Sequence, residues 1–235
     1  MIQHKFQFTR SWFRTRNQKS FVKYVLPYWK NKQFVYLEIG VFEGASFCWM
    51  LKNVLIHYKS RAIGIDPWLI TEKLSAEMME NVRQRAVHNI EPFKDKCDLI
   101  RGSSVDVLRR MSRADGFYNI KRNSVDICML DGNHHRLGVY DDARISFKLL
   151  KPGGWLIFDC VENVVRKKDH VKDGLKMFLE ETPNAKLIWK DGFIETYEKN
   201  VGHKTQSIIN EYKEYSEHKT QFTTMRRRRR HKGRG

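Results

Sequence analysis

Residues 34–44, FVYLEIGVFEG, constrain this chain more than any other stretch. An apolar run rich in β-branched and aromatic residues reaches an acid, Glu38, and then two glycines four apart, Gly40 and Gly44. A helix-like segment, ASFCWMLKNVLIHY, follows at once. A strand that ends in a glycine-bearing turn and feeds a helix is how α/β proteins bring backbone close to a nucleotide-like ligand. Side chains at the two glycines would block that approach, and the helix start offers N–H groups with no intrahelical partner.

The central region continues as an alternation of strands and helices. Strands are expected at 34–39, 62–66, 97–101, 125–130 and 154–159, and helices at about 45–58, 74–88, 104–112, 137–150 and 169–181. Such alternation predicts a parallel sheet covered by helices. Lys151-Pro152-Gly153-Gly154 breaks the fourth helix and turns the chain into the fifth strand. Beyond 181 the pattern changes: AKLIWK, then Asp191-Gly192, then FIETYE spells a β-hairpin, because Asp-Gly supplies a tight primed turn. The expected fold is therefore α/β, a Rossmann-like three-layer sandwich with a seven-stranded, mostly parallel sheet ending in a hairpin. Three regions are expected: a basic aromatic extension over 1–33, the α/β domain over 34–199, and a basic tail over 200–235 with a short helix at 205–216.

The formal charge of +17 belongs to the flanks. Residues 1–33 carry eight Lys/Arg and no acid, and 200–235 carry ten against three Glu, including Arg226 to Arg230. The 18 or so apolar residues in a row that a membrane span requires are nowhere present. The basic N-terminus lacks the apolar core of a secretory signal. Cys48, Cys97, Cys128 and Cys160 have no C-x-x-C spacing and read as reduced, buried thiols. An intracellular, cytoplasmic protein is expected, with nuclear targeting open for the arginine run.

The turn Glu38-Ile39-Gly40-Val41-Phe42-Glu43-Gly44 resembles that of class I S-adenosylmethionine-dependent methyltransferases, with Phe42 in place of a middle glycine. In this form it resembles a narrower group, the macrocin O-methyltransferase-like or methyltransferase-24 family. Three further motifs follow in order: IGIDPW at 63–68, LIRGSSVDVL at 99–108, and the long block at 125–160 that runs from VDICMLDGNHH to WLIFDC. The resemblance spans about 34–198 and implies S-adenosylmethionine as methyl donor.

It also implies roles for single residues. Asp66, ending the second strand, would accept hydrogen bonds from both ribose hydroxyls; a helix cap is the alternative. Glu38, with Gly40, Glu43 and Gly44, would order the glycine turn and face the methionine part. Gly102, Ser103 and Ser104 sit where relatives approach the adenine, although a capping role fits the serines equally. Trp68 suits stacking on the adenine or a place in the core. Asp131, His134 and His135 leave the fourth strand, where an acid and an imidazole can position or deprotonate a hydroxyl. Metal-dependent relatives place two acids after the fifth strand to hold a divalent cation such as Mg²⁺. Here Asp131 and Asp159 remain, but Cys160 replaces the second acid, and Asn133 replaces an acid often proposed as base. Asp141 and Asp142 are expected on a solvated helix face. Residues 68–96 and 161–168 are expected to shape the pocket for the methyl-accepting molecule.

The resemblance points to O-methylation of a small molecule or glycan. Two alternatives stay open: ribose methylation of a nucleic acid recruited by the basic ends, and a non-catalytic cofactor-binding module. Arg226 to Arg230 also suits nuclear targeting, an anionic membrane or an acidic protein. In the N-terminal extension, Phe6, Phe8, Trp12 and Phe13 interleave with Lys5, Arg10, Arg14 and Arg16. That texture fits stacking on bases, and it equally fits an amphipathic segment docked on the fold.

Overall fold

The computed structural model describes residues 4–69, 75–161 and 170–200. The arginine run, the helix expected at 205–216 and much of the expected pocket segment 161–168 lie outside the described residues. Seven strands form one sheet: β1 (Val35–Ile39), β2 (Arg61–Asp66), β3 (Cys97–Arg101), β4 (Val125–Leu130), β5 (Leu150–Phe158), β6 (Ala185–Asp191) and β7 (Ile194–Lys199). Their order is β3-β2-β1-β4-β5-β7-β6. The first five are parallel, and β7 inserts antiparallel between β5 and β6. This is the sheet expected from the sequence, hairpin included. Strand order reverses between β1 and β4, which opens a crevice at their carboxyl ends.

Five helices cover it: α1 (Ala45–Asn53), α2 (Ala76–Ile90), α3 (Ser104–Met111), α4 (Arg136–Leu149) and α5 (His170–Glu181). Ser75 caps α2 by accepting from the Met78 amide at 3.3 Å. α1 stops at Asn53 rather than at 58, because Val54 and Leu55 turn inward and are fully buried. Alternation along β1 sends Tyr36 to one face and Leu37 to the other. The first face packs on α1 and α2, the second on α3, α4 and α5.

Residues 13–29 add to the first layer. They run as a π turn at Phe13–Asn17, α-helix at Gln18–Ser20, a second π turn at Phe21–Val25 and α-helix at Leu26–Trp29. Pro27 offers no N–H to the helical ladder. Tyr28 stacks on Trp155 at 4.8 Å and Tyr24 on Trp189 at 4.7 Å, while Phe13 and Phe21 close on Trp49. Burying a ring such as Phe21 contributes about 2–3 kcal/mol.

The ends of β1, β2 and β4 are stitched together at Gly40. Its N–H donates to the Ile65 carbonyl at 2.9 Å, and the Asp131 N–H donates to the Ile39 carbonyl at 2.8 Å. Gly40 has φ +88°, and a Cβ there would overlap the Asp131 carbonyl. Gly192, in the hairpin turn, has φ +59° but open space around it. Gly40→Ala should therefore cost at least about 3 kcal/mol from strain plus overlap. Gly192→Ala should cost about 1 kcal/mol from strain alone. Urea unfolding of the two variants measures the difference, and equal costs would contradict this account of the strand ends.

Candidate active site

The glycine turn and the end of β2 form one hydrogen-bonded unit. Gly44, at φ +81°, opens α1, and its N–H donates to the Val41 carbonyl at 2.8 Å. Phe42 takes φ +53° at the position of the missing glycine. Its amide donates to Asp66 Oδ2 at 2.9 Å, and the Trp68 amide donates to Oδ1 at 2.7 Å. Burial raises the Asp66 pKa, and these amide bonds oppose the rise. Val41 adds a third backbone hydrogen bond, which leaves one of the roughly four carboxylate lone pairs unused by the turn. Trp68 is 3% exposed, and its indole N–H donates to the Phe42 carbonyl at 3.0 Å. That ring sits in the core. The Gly102 N–H donates to the Asp66 carbonyl at 3.1 Å and brings the end of β3 alongside.

Acids converge beneath this turn. Glu38 is fully buried on the same face as Tyr36 and accepts from the hydroxyls of Tyr36 and Ser46, the latter at 2.6 Å. Burial above all raises its pKa to about 8; the two hydroxyls oppose the rise, and Asp131 and Asp159 add to it. Asp131 and Asp159, ending β4 and following β5, are hydrogen-bonded to each other, and burial holds both above the usual carboxyl range. Two carboxyl groups at this distance share a proton more readily than they both ionise.

Only one of the two histidines faces this pair. His134 Nε2 lies 3.7 Å from Asp131 Oδ1, within ion-pair range though long for a hydrogen bond. His135 is exposed at the start of α4, its amide donating to Asn133 Oδ1 at 2.8 Å and its ring 5.7 Å from that of His170.

The donor set does not suit Mg²⁺. Asp159 Oδ2 accepts from Asn17 Nδ2 at 2.7 Å and Oδ1 from the Cys160 amide at 2.6 Å. The atoms that do gather within 4.8 Å of one another belong to Asp131, His134 and Cys160. Oxygen, nitrogen and sulfur together favour a softer ion than one that demands oxygen ligands.

Other residues take structural posts. Glu43 is buried; its carboxylate accepts from the Thr9 amide and hydroxyl, each at 2.7 Å, and from Arg85 Nε at 2.6 Å. It ties the N-terminal segment and α2 to the glycine turn. Ser103 precedes α3 without a side-chain cap, and Ser104 is hydrogen-bonded to Asp142. Asp142 is 3% exposed, not on a solvated face, and burial raises its pKa to about 6. Asp141 does face outward and pairs with Arg144 at 3.0 Å.

Sequence reasoning missed Asn17 and Arg16. Asn17 reaches Asp159 across 142 positions, and its Oδ1 is buried with no partner among the described residues. Arg16 lies near enough to Asp131 to hold its pKa down against burial. No local pattern marks either residue.

Comparison with known proteins agrees with this fold. The fold is that of an O-methyltransferase from Bacillus cereus solved in complex with SAH, 20% identical over 83% of each chain with a TM-score of 0.51. Spermidine synthase from Thermotoga maritima shares it at 13% identity and a TM-score of 0.51, over 79% of this chain and 60% of that one. "Uncharacterized protein R132" of Acanthamoeba polyphaga mimivirus is 31% identical over 183 residues, covering 76% of this chain and 75% of that protein. A family model described as a methyltransferase domain, methyltransferase-24, matches residues 37–160. The chain belongs to that family, and is a class I S-adenosylmethionine-dependent methyltransferase.

The buried acids set a pH signature. Glu38 is raised in the fold, so the folded state holds its proton where the unfolded chain has lost it. Stability contributed at this position therefore falls as pH rises from about 4.5 towards 8. Glu38→Gln, neutral throughout, should gain on the wild type between pH 5 and 8. Chemical denaturation at both ends of that window checks this; a constant difference would contradict it.

Proposed function

We propose that this methyltransferase transfers its methyl group to a hydroxyl oxygen of a small molecule or glycan. The observation that carries the reading is the Asp131–His134 pair at the exit of β4, beside the glycine turn and Asp66. Residues around the crevice fit the cofactor. Asp66 keeps a lone pair for a ribose hydroxyl, the start of α1 offers amide donors, and the acids suit a ligand bearing positive charge. When bound, S-adenosylmethionine supplies an electrophilic methyl group and leaves as a thioether.

The chain's own work is alignment and proton removal. His134 takes the proton as the substrate oxygen bonds to carbon, and Asp131 steadies the resulting imidazolium. Asn17 and the Cys160 amide hold Asp159, and through it Asp131, in place.

Turnover of labelled S-adenosylmethionine against sugar, polyphenol and RNA hydroxyls tests the reaction. His134→Ala should lower kcat about 10²–10⁴-fold with cofactor affinity kept, whereas Asp66→Ala should weaken cofactor binding measured by calorimetry. Full turnover in His134→Ala would refute the base assignment.

A further inference from the structure

The basic aromatic N-terminus builds a second cavity, separate from the Asp131–His134 centre. It has a volume of about 630 Å³ and lies between residues 6–18 and the outer face of α1. Ala45, Cys48, Trp49, Lys52 and Asn53, spaced three and four apart, supply one wall. Ser46, on the sheet-facing side of the same helix, meets Glu38 instead. The cavity is in the range of ordinary ligand sites, and Ala45 to Asn53 extends it along the helix by roughly 12 Å.

Its lining combines flat rings with unopposed cations. Phe13 and Trp49 form an apolar floor, their ring centres 5.7 Å apart. Phe8 is 39% exposed at the mouth and stacks on Phe6 at 5.7 Å with the planes nearly parallel. Arg10, Arg14 and Lys52 stand around it, all exposed, and none is in an ion pair among the described residues. No acid among the described residues lines the cavity. The Glu43 carboxylate beneath Thr9 is already matched by Arg85.

We propose that this groove binds a segment of single-stranded nucleic acid. Bases stack on the rings of Phe8 and the half-buried Trp49, while Arg10, Arg14 and Lys52 neutralise phosphates. The chemistry excludes a bare anion, which would have no use for the rings. It also disfavours duplex, whose paired bases offer no free face. The inference does not rest on the methyl-accepting group, since these residues lie outside the centre assigned to it.

The test uses the full chain and a short labelled single-stranded RNA of mixed sequence, with affinity followed by fluorescence anisotropy across a salt series. Arg10→Ala with Arg14→Ala should weaken binding about tenfold or more and reduce the slope of log affinity against log salt by roughly 1.4, at about 0.7 per lost phosphate contact. Phe8→Ala should weaken single-strand binding about fivefold or more and leave duplex binding unchanged. Cofactor affinity should be unaltered in both variants. Lys52→Glu, on the rigid wall of α1, repeats the test if the N-terminal variants fold poorly. Wild-type affinity and salt slope in the charge variants would overturn the proposal. So would equal binding of duplex and single strand that is insensitive to Phe8→Ala, or groove-dependent capture of phosphatidylserine vesicles without capture of RNA.

Discussion

Much of this molecule depends on three strand ends meeting where there is no room for a Cβ. At Gly40 the backbone of β1 donates to β2 and accepts from the start of the β4 exit. That contact fixes where Asp66 leaves β2 and where Asp131 leaves β4. Every polar group of the centre then follows from it: the turn amides grip Asp66, and Asp131 meets His134 and Asp159. A looser junction would move the acids relative to one another, and buried acids tolerate misplacement poorly because each needs its partner's proton or dipole.

The carboxyls at the strand ends have a second effect. Glu38, Asp131 and Asp159 lie at the ends of adjacent strands in surroundings that favour their neutral forms. A cationic ligand reverses that preference, so charge on the ligand and protonation of the site are linked. The N-terminal helix belongs to the same system, since Asn17 and Arg16 touch or influence the Asp131–Asp159 pair.

The sheet was legible because each of its signals is local. Glycine turns, apolar runs and the Asp191-Gly192 hairpin each mark a strand end within a few residues. Asp66 and Asp131 were legible for the same reason, as acids at strand ends. What escaped the sequence was long-range. Asn17 meets Asp159 only because a helix interrupted by two π turns lies against the sheet, and nothing in its neighbours announces that contact. Asp142 looked like a solvated charge because its pairing with Ser104 joins two helices. Glu43 sits within the glycine motif, yet its carboxylate faces Thr9 and Arg85, partners 34 and 42 positions away.

Phe42 carries a broader consequence. It holds a left-handed backbone that glycine would adopt freely, and its ring lies 5.3 Å from that of Trp12. The strained residue thus serves as a landing pad for the N-terminal segment. Phe42 without Trp12 would keep the backbone strain and lose the ring contact, whereas Trp12 opposite a glycine would lose the contact alone. The residue at the missing glycine thus joins the N-terminal segment to the turn that grips Asp66.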